Sequence, residues 1–251
     1  MQTKVTFIYD YKQIDLPEGM MELILPDMDA FIEFQCQGLA EKHSSIQLAE
    51  GQAHVLTDDM IKKEELPGIE TVEDYRRALM EEVPRVILAE QTQMILMNYL
   101  VPQLVQRSTF EIDDEEASRE SLKRLEIFES NALEKGLSLQ EAGRQEFGLP
   151  EMDEGQIRQY VLTLARTNFL FRILAHEYLS RQGKTFDLAS YSGYIKELSE
   201  VSGMPEQEVR DLVPLHIYME EVPVLVMLDE LSAWLEPQIS LKAQETEEAA
   251  E

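Results

Sequence analysis

The chain has little of what marks several classes of protein. Cys36 is the single cysteine, so no intrachain disulfide can form and a reducing compartment is expected. No apolar run approaches the roughly 20 residues that a membrane-spanning helix needs. The first residues lack a basic segment followed by an apolar one, so no signal peptide is expected. These features predict a cytoplasmic protein that does not enter a membrane.

Basic residues are also scarce. Lysine and arginine number 22 against 49 aspartates and glutamates, which gives a net charge of -27. A field of this sign repels the phosphates of nucleic acids and the surface of anionic membranes. Basic or newly unfolded polypeptides are not repelled, and we therefore expect protein partners rather than nucleic acid.

Sequence motifs of common active sites are missing. No GxGxxG, P-loop or GxSxG motif occurs. His176 and Glu177 resemble the start of a zinc-protease motif, but Ser180 stands where its second histidine must be. The acidic run 113–116 lacks the spacing of a calcium loop and is better explained as a helix N-terminus. Cys36 is interpreted as a buried thiol, and we expect no enzyme, no cofactor and no metal site.

Hydrophobic periodicity predicts a mainly α protein with a small β element at its N-terminus. Alternation over residues 4–16 is typical of one or two strands, and residues 20–25 are compatible with another. Later stripes repeat at helical spacing, with kinks or breaks expected at Pro84 and Pro102. A circular dichroism spectrum with less than about half helix would contradict this prediction. The expected helices cover residues 28–42, 71–107, 114–136, 139–147, 154–182, 187–201 and a punctuated stretch from 204 to 237.

Composition divides the chain into three predicted segments. Residues 1–61 form a strand and linker-helix segment, of which 46–61 looks irregular, and residues 62–240 form a helical body. Residues 108–114 are expected to be a loop within that body. The acidic, low-complexity residues 241–251 cannot bury apolar area and are expected to be a disordered tail.

Ordered stretches of the chain share a pattern with one known family. The stretches LPGIETVEDYRRALMEEV (66–83), NYLVPQLVQRSTFEIDDEEASRE (98–120), QIRQYVLTLARTNFLFRILAHEYLSRQGKTFDLASYSGYIKELSEVSG (156–203) and EVPVLVMLDELSAWL (221–235) resemble the C-terminal part of bacterial trigger factor, the chaperone of nascent chains. Residues 11–52 resemble the strand and linker that precede the family's prolyl isomerase domain. Asp113 replaces the family's usual proline, and both the ribosome-docking GFRxGKxP loop and the isomerase domain, expected between about 52 and 62, are missing.

The resemblance implies an elongated, multi-helix body whose arms form a cradle for unfolded or nascent polypeptides. It implies no prolyl isomerase turnover and no docking to ribosomes. A dedicated adaptor or assembly protein, which holds one specific partner in the same cradle, is the alternative. Many clients would favour the chaperone, and one stoichiometric partner would favour the adaptor.

A client-binding cradle must keep some apolar side chains partly exposed in the free protein. The alternative for each such residue is ordinary core packing, which also explains the apolar stripe over residues 157–178 that Asn168 interrupts. The expected client-binding residues are Met94, Met97, Phe169, Phe171, Met204 and Tyr218.

Overall fold

The computed structural model describes residues 2–44, 54–149 and 151–243. Helix accounts for 72% of the structure and strand for 6%, which confirms the prediction of a mainly α protein and exceeds the expected half. Residues 46–53 of the segment 46–61 that was expected to be irregular, and residues 244–251 of the predicted tail, lie outside the described residues. The expectation is wrong for residues 58–61, which belong to the helix Asp58–Lys63.

The elements follow in the order β1, α1, β2, α2, α3, α4, α5, β3, α6 to α12 and β4. The helices are α1 Glu18–Met21, α2 Met28–His43, α3 Asp58–Lys63, α4 Val72–Ile95, α5 Val101–Arg107, α6 Asp114–Glu134, α7 Leu139–Phe147, α8 Glu154–Arg181, α9 Leu188–Ser202, α10 Glu206–Leu212, α11 Leu215–Glu220 and α12 Val222–Leu235. The strands are β1 Lys4–Phe7, β2 Glu22–Leu25, β3 Thr109–Glu111 and β4 Ser240–Ala243.

Helix boundaries follow local capping signals. Asp113 accepts hydrogen bonds from the backbone N–H groups of Glu115 and Glu116, both at 3.0 Å, and so begins α6. This confirms the interpretation of the acidic run as a helix N-terminus. Asp153 begins α8 in a capping box with Gln156. Gly203 ends α9 in the left-handed conformation that glycine adopts without strain.

The two prolines of the predicted 71–107 helix behave differently. α4 continues through Pro84, so the expectation of a break at that residue is wrong. A π-helical turn, Leu96–Leu100, precedes Pro102, which lies in the first turn of α5. Since Pro102 has no N–H for the preceding turn and its ring crowds a carbonyl there, the helix changes its hydrogen-bond pattern at this place.

The N-terminal β element is smaller than the sequence suggests. β1 ends at Phe7, and a 3-10 turn at Tyr11–Gln13 replaces the expected continuation of the strand towards residue 16. β1 pairs antiparallel with β3, with Val5 opposite Phe110. Residues 109–111 were expected to be a loop, and this expectation is wrong because β1 supplies a distant partner for them.

A second sheet joins positions far apart in the sequence. β2 and β4 pair in parallel, with Leu23 opposite Leu241, and the Lys242 ammonium lies 2.7 Å from the Glu22 carboxylate. Residues 241–243 therefore form a strand rather than the start of a disordered tail. The partner strand 22–25 supplies the backbone hydrogen bonds of residues 240–243. It lies too far away in the sequence for local patterns to predict this pairing.

The chain forms two compact units. The first unit comprises Met1–Ile14 and Leu96–Leu231, and the second comprises Asp15–Ile95 and Ser232–Glu251. The expected division at residue 62 stays a prediction about folding domains.

Each unit has its own buried cluster. In the second unit, α2, α3 and α4 pack around Ile32, Ala40, Ile61 and the buried Cys36, which confirms the interpretation of this thiol. In the first unit, α6, α7 and α8 enclose one cluster around Phe128. Another cluster of the first unit contains Tyr191, Ile195, Val209, Tyr218 and Val222.

Candidate functional site

A cleft of about 350 Å³ opens within the first unit. Its walls come from α6, α8, the π-helical turn and the beginning of α12. The size lies near the lower end of the range of about 300–1,000 Å³ for small-ligand pockets. Its apolar lining consists of Met97, Ala165, Phe169, Phe171, Val224 and Leu228, and its polar lining consists of Glu120, Arg124, Asn168, Arg172 and Glu221.

One face of α8 supplies much of this lining. Ala165, Asn168, Phe169 and Arg172 follow one another at spacings of three, one and three residues, which places them side by side along a helix. The capping box at Asp153 and the packing of Ile157 and Val161 against α6 and α7 fix the first half of this helix. Capping and packing therefore position the helix from which the cleft residues of α8 project.

Arg172 connects three helices beside the cleft. Its guanidinium lies 3.5 Å from the Glu120 carboxylate on α6 and 3.4 Å from the Glu220 carboxylate on α11. It also stands over the Phe169 ring, 5.8 Å from the centroid. Its Nε atom is buried without a hydrogen-bond partner among the described residues. A partly buried charge needs ion-pair partners, and Glu120 and Glu220 supply them. We therefore expect Arg172 to hold α6 and α11 in place against α8.

His176 lies one turn beyond Arg172 on the same helix. A ring nitrogen donates to the backbone carbonyl of Glu220, whereas Nε2 is buried and has no partner within the described part of the chain. Burial lowers the pKa of His176 below its usual value, and the positive charge of Arg172 lowers it further. The ring is thus held in its neutral form, as expected of a histidine at the edge of a core.

Three of the six expected client-binding residues meet at the cleft. Met97, Phe169 and Phe171 all line it, although they come from two different segments. Met94 is 47% exposed but belongs to α4 in the second unit. Met204 and Tyr218 lie in another part of the first unit. Only three of the six residues that the sequence predicts as client-binding therefore lie at one site.

The expected partial exposure is wrong for the three aromatic residues. Phe169 is 5% exposed, and Phe171 and Tyr218 are each 3% exposed. Helix α8 contacts α5, α6 and α7, so the rings that it carries are covered by several neighbours. Met97 and Met204 keep intermediate exposure, as expected.

Tyr218 belongs to a closed aromatic cluster. The centroid of its ring lies 5.8 Å from Phe186, 5.3 Å from Tyr191 and 5.0 Å from Tyr194. Met204 packs against this cluster and accepts a hydrogen bond from the Ser199 hydroxyl through its backbone carbonyl. Together with Val209 of α10, these contacts join α9, α10 and α11 into one small core.

Several residues of the cleft were not expected from the sequence. Arg172 and Asn168 interrupt the apolar stripe of α8, and this interruption is the signal that could have marked them. Val224 and Leu228 lie four residues apart on α12, in a segment so apolar that no pattern distinguishes its open side.

No protein-family model matches the chain, and no curated protein matches it either.

In the parts of the chain that the structure describes, no helix has the length and apolarity needed to cross a membrane. Across the same residues, no three histidine, cysteine, aspartate or glutamate side chains are grouped in a way that could hold a metal ion.

Proposed function

We propose that this chain is a trigger-factor-like molecular chaperone, or holdase, that binds unfolded or nascent polypeptides and has no isomerase activity. The observation that carries the proposal is the apolar cleft of the first unit, with Met97 and Leu228 among the partly exposed side chains at its wall. Apolar area that remains open in the free protein is available to cover apolar segments of another chain.

The chemistry of the cleft suits a polypeptide client. Met97 is flexible and polarisable, so it adapts to apolar side chains of different shapes. The volume accommodates a short segment of a chain and is too small for a folded domain. The net charge of -27 keeps copies of the chaperone apart while a client is held.

Leucines of α12 offer a matched test. Leu228 lines the cleft, whereas Leu225 lies three residues earlier on the same helix, is 56% exposed and does not line it. We expect Leu228→Gln to weaken the suppression of aggregation of a chemically unfolded client, because it places a polar amide in the apolar wall. Leu225→Gln should suppress aggregation as the unchanged protein does. The assay is light scattering of the client at a temperature at which both variants remain folded.

The possible results separate the proposal from its alternatives. Equal activity of the two variants would show that the cleft does not bind clients. No suppression of aggregation by the unchanged protein would reject the holdase. If the unchanged protein failed with all of several unrelated clients but formed a one-to-one complex with a single purified partner, the adaptor would replace the chaperone.

A further inference from the structure

We propose that the side-chain amide of Asn168 hydrogen-bonds with the main chain of an uncharged, extended polypeptide segment in the cleft. This inference rests on the proposed function, because it names the chemistry by which the same cleft recognises its client. It assigns a specific role to a residue that packing does not explain.

Asn168 is exposed in the middle of α8 and faces the cleft. Its amide carries two donors and one acceptor oxygen. No other group of the described residues hydrogen-bonds with this amide. Asparagine is also a weaker helix former than alanine or leucine, so the helix itself does not favour it at this position.

The surroundings of Asn168 make its partner specific. Ala165 and Phe169 flank it on α8, and Met97, Val224 and Leu228 provide apolar surface around it. An apolar segment that covers the amide without pairing it would leave a polar group buried, which is unfavourable. An extended main chain offers free N–H and C=O groups to the amide, whereas a helix uses these groups internally.

The charges of the cleft predict an uncharged segment. Glu120 and Glu221 balance Arg124 and Arg172 in the lining. Arg172 is already paired with Glu120, and Arg124 lies 3.2 Å from the Glu146 carboxylate. The four charged side chains of the lining thus sum to zero, and carboxylates already engage both arginines, although the whole chain carries a charge of -27. Apolar contact and main-chain pairing, rather than charge, are expected to select the segment.

A pair of peptides tests the inference on the full chain. The probe is a fluorescent, end-blocked peptide of alanine, glutamine and leucine with a central phenylalanine, and its partner carries N-methyl groups on the two central amides. Fluorescence anisotropy gives the dissociation constants. We expect methylation to weaken binding to the unchanged protein about three- to tenfold, as for the loss of one hydrogen bond. Asn168→Leu should weaken binding of the unmodified peptide to a similar degree and show no further loss on methylation.

Asn131→Leu is the matched control, because Asn131 is an exposed asparagine of α6 that does not line the cleft. It should bind both peptides as the unchanged protein does. Equal or tighter binding of the unmodified peptide by Asn168→Leu would overturn the inference while leaving the holdase in place. If the unchanged protein bound neither peptide and did not suppress aggregation, the proposed function would fail and the inference with it.

Discussion

Two aromatic regions of the first unit differ in what lies beside their rings. Phe169 and Phe171 border an open volume of about 350 Å³. Tyr218 is instead surrounded by other rings, the nearest of which is Tyr194 with its centroid at 5.0 Å. Phe169, Phe171 and Tyr218 are nevertheless all almost completely buried. Exposure alone therefore does not distinguish the rings beside the cleft from Tyr218, whereas the space next to each ring does.

The difference also separates two kinds of substitution. A change in the closed aromatic cluster removes contacts on all sides, so it should appear as lost stability. A change at the wall of the cleft removes contacts on one side and alters the proposed client-binding surface. The two regions are therefore expected to respond differently when stability and client capture are measured together.

Tyr218→Ala should give the largest loss of stability. Removing a fully enclosed aromatic ring costs about 3–5 kcal/mol in the free energy of unfolding, measured by urea titration. Tyr218→Phe preserves the ring contacts and serves as the control. Unchanged stability together with impaired client capture would place Tyr218 on a binding surface after all and erase the distinction between the regions.

Tyr191→Phe should give the next largest effect. The Tyr191 hydroxyl donates to the backbone carbonyl of Val213 at 2.7 Å, and its loss leaves that carbonyl without this donor. We expect the free energy of unfolding to fall by about 1–3 kcal/mol. Tyr160→Phe is the control, since the Tyr160 hydroxyl makes no hydrogen bond to other described residues. Equal losses in the two variants would show that this bond does not stabilise the cluster.

His176→Gln, a substitution near the cleft, should change how the free energy of unfolding depends on pH. The pKa of His176 is lowered by burial and by Arg172, so between that value and the unfolded value of about 6.5 only the unfolded chain binds the proton. Stability should therefore fall as the pH drops below about 6.5, by at most about 1.4 kcal/mol per pH unit from this group. Urea unfolding of both proteins between pH 7.5 and 5.5 measures the difference. Parallel curves would show that His176 titrates alike in both states.

Asp153→Ala should give the smallest effect. Loss of the N-cap of α8 costs about 1 kcal/mol, because the backbone N–H of Gln156 loses its acceptor at 2.9 Å. Asp153→Asn keeps an acceptor, and Asp229→Ala, an exposed change on α12, controls for the loss of one charge. Client capture should not change, since the first turn of α8 lies away from Asn168. Impaired capture with normal stability would extend the binding surface to this end of the helix.

Much of the helical fold could be predicted because its signals are local. Asp113, Asp153 and Gly203 act on the turns next to them, and each lies at a helix end in the structure. The strands β3 and β4 could not be predicted, since each depends on a partner about a hundred or more positions away. The resemblance to trigger factor stays a prediction.

The candidate site could be predicted only in part for the same reason. A stripe on α8 marks Phe169 and Phe171 as apolar, but the helices α6 and α12 decide whether a ring borders open space. Exposure of Met94 could be predicted from the sequence, whereas its place in the other unit could not. Arg172 appears in the sequence only as one charge within an apolar stripe.

The parallel pairing of β2 with β4 has a consequence for the order in which the protein assembles. The whole of Leu96–Leu231 is translated between these two strands. At about 5–20 residues per second, β2 waits roughly ten to forty seconds for its partner. The helices of the first unit emerge during this interval, whereas Leu23 and Leu25 remain without the strand opposite them. The second unit is thus completed late in translation, even though most of its residues are made early.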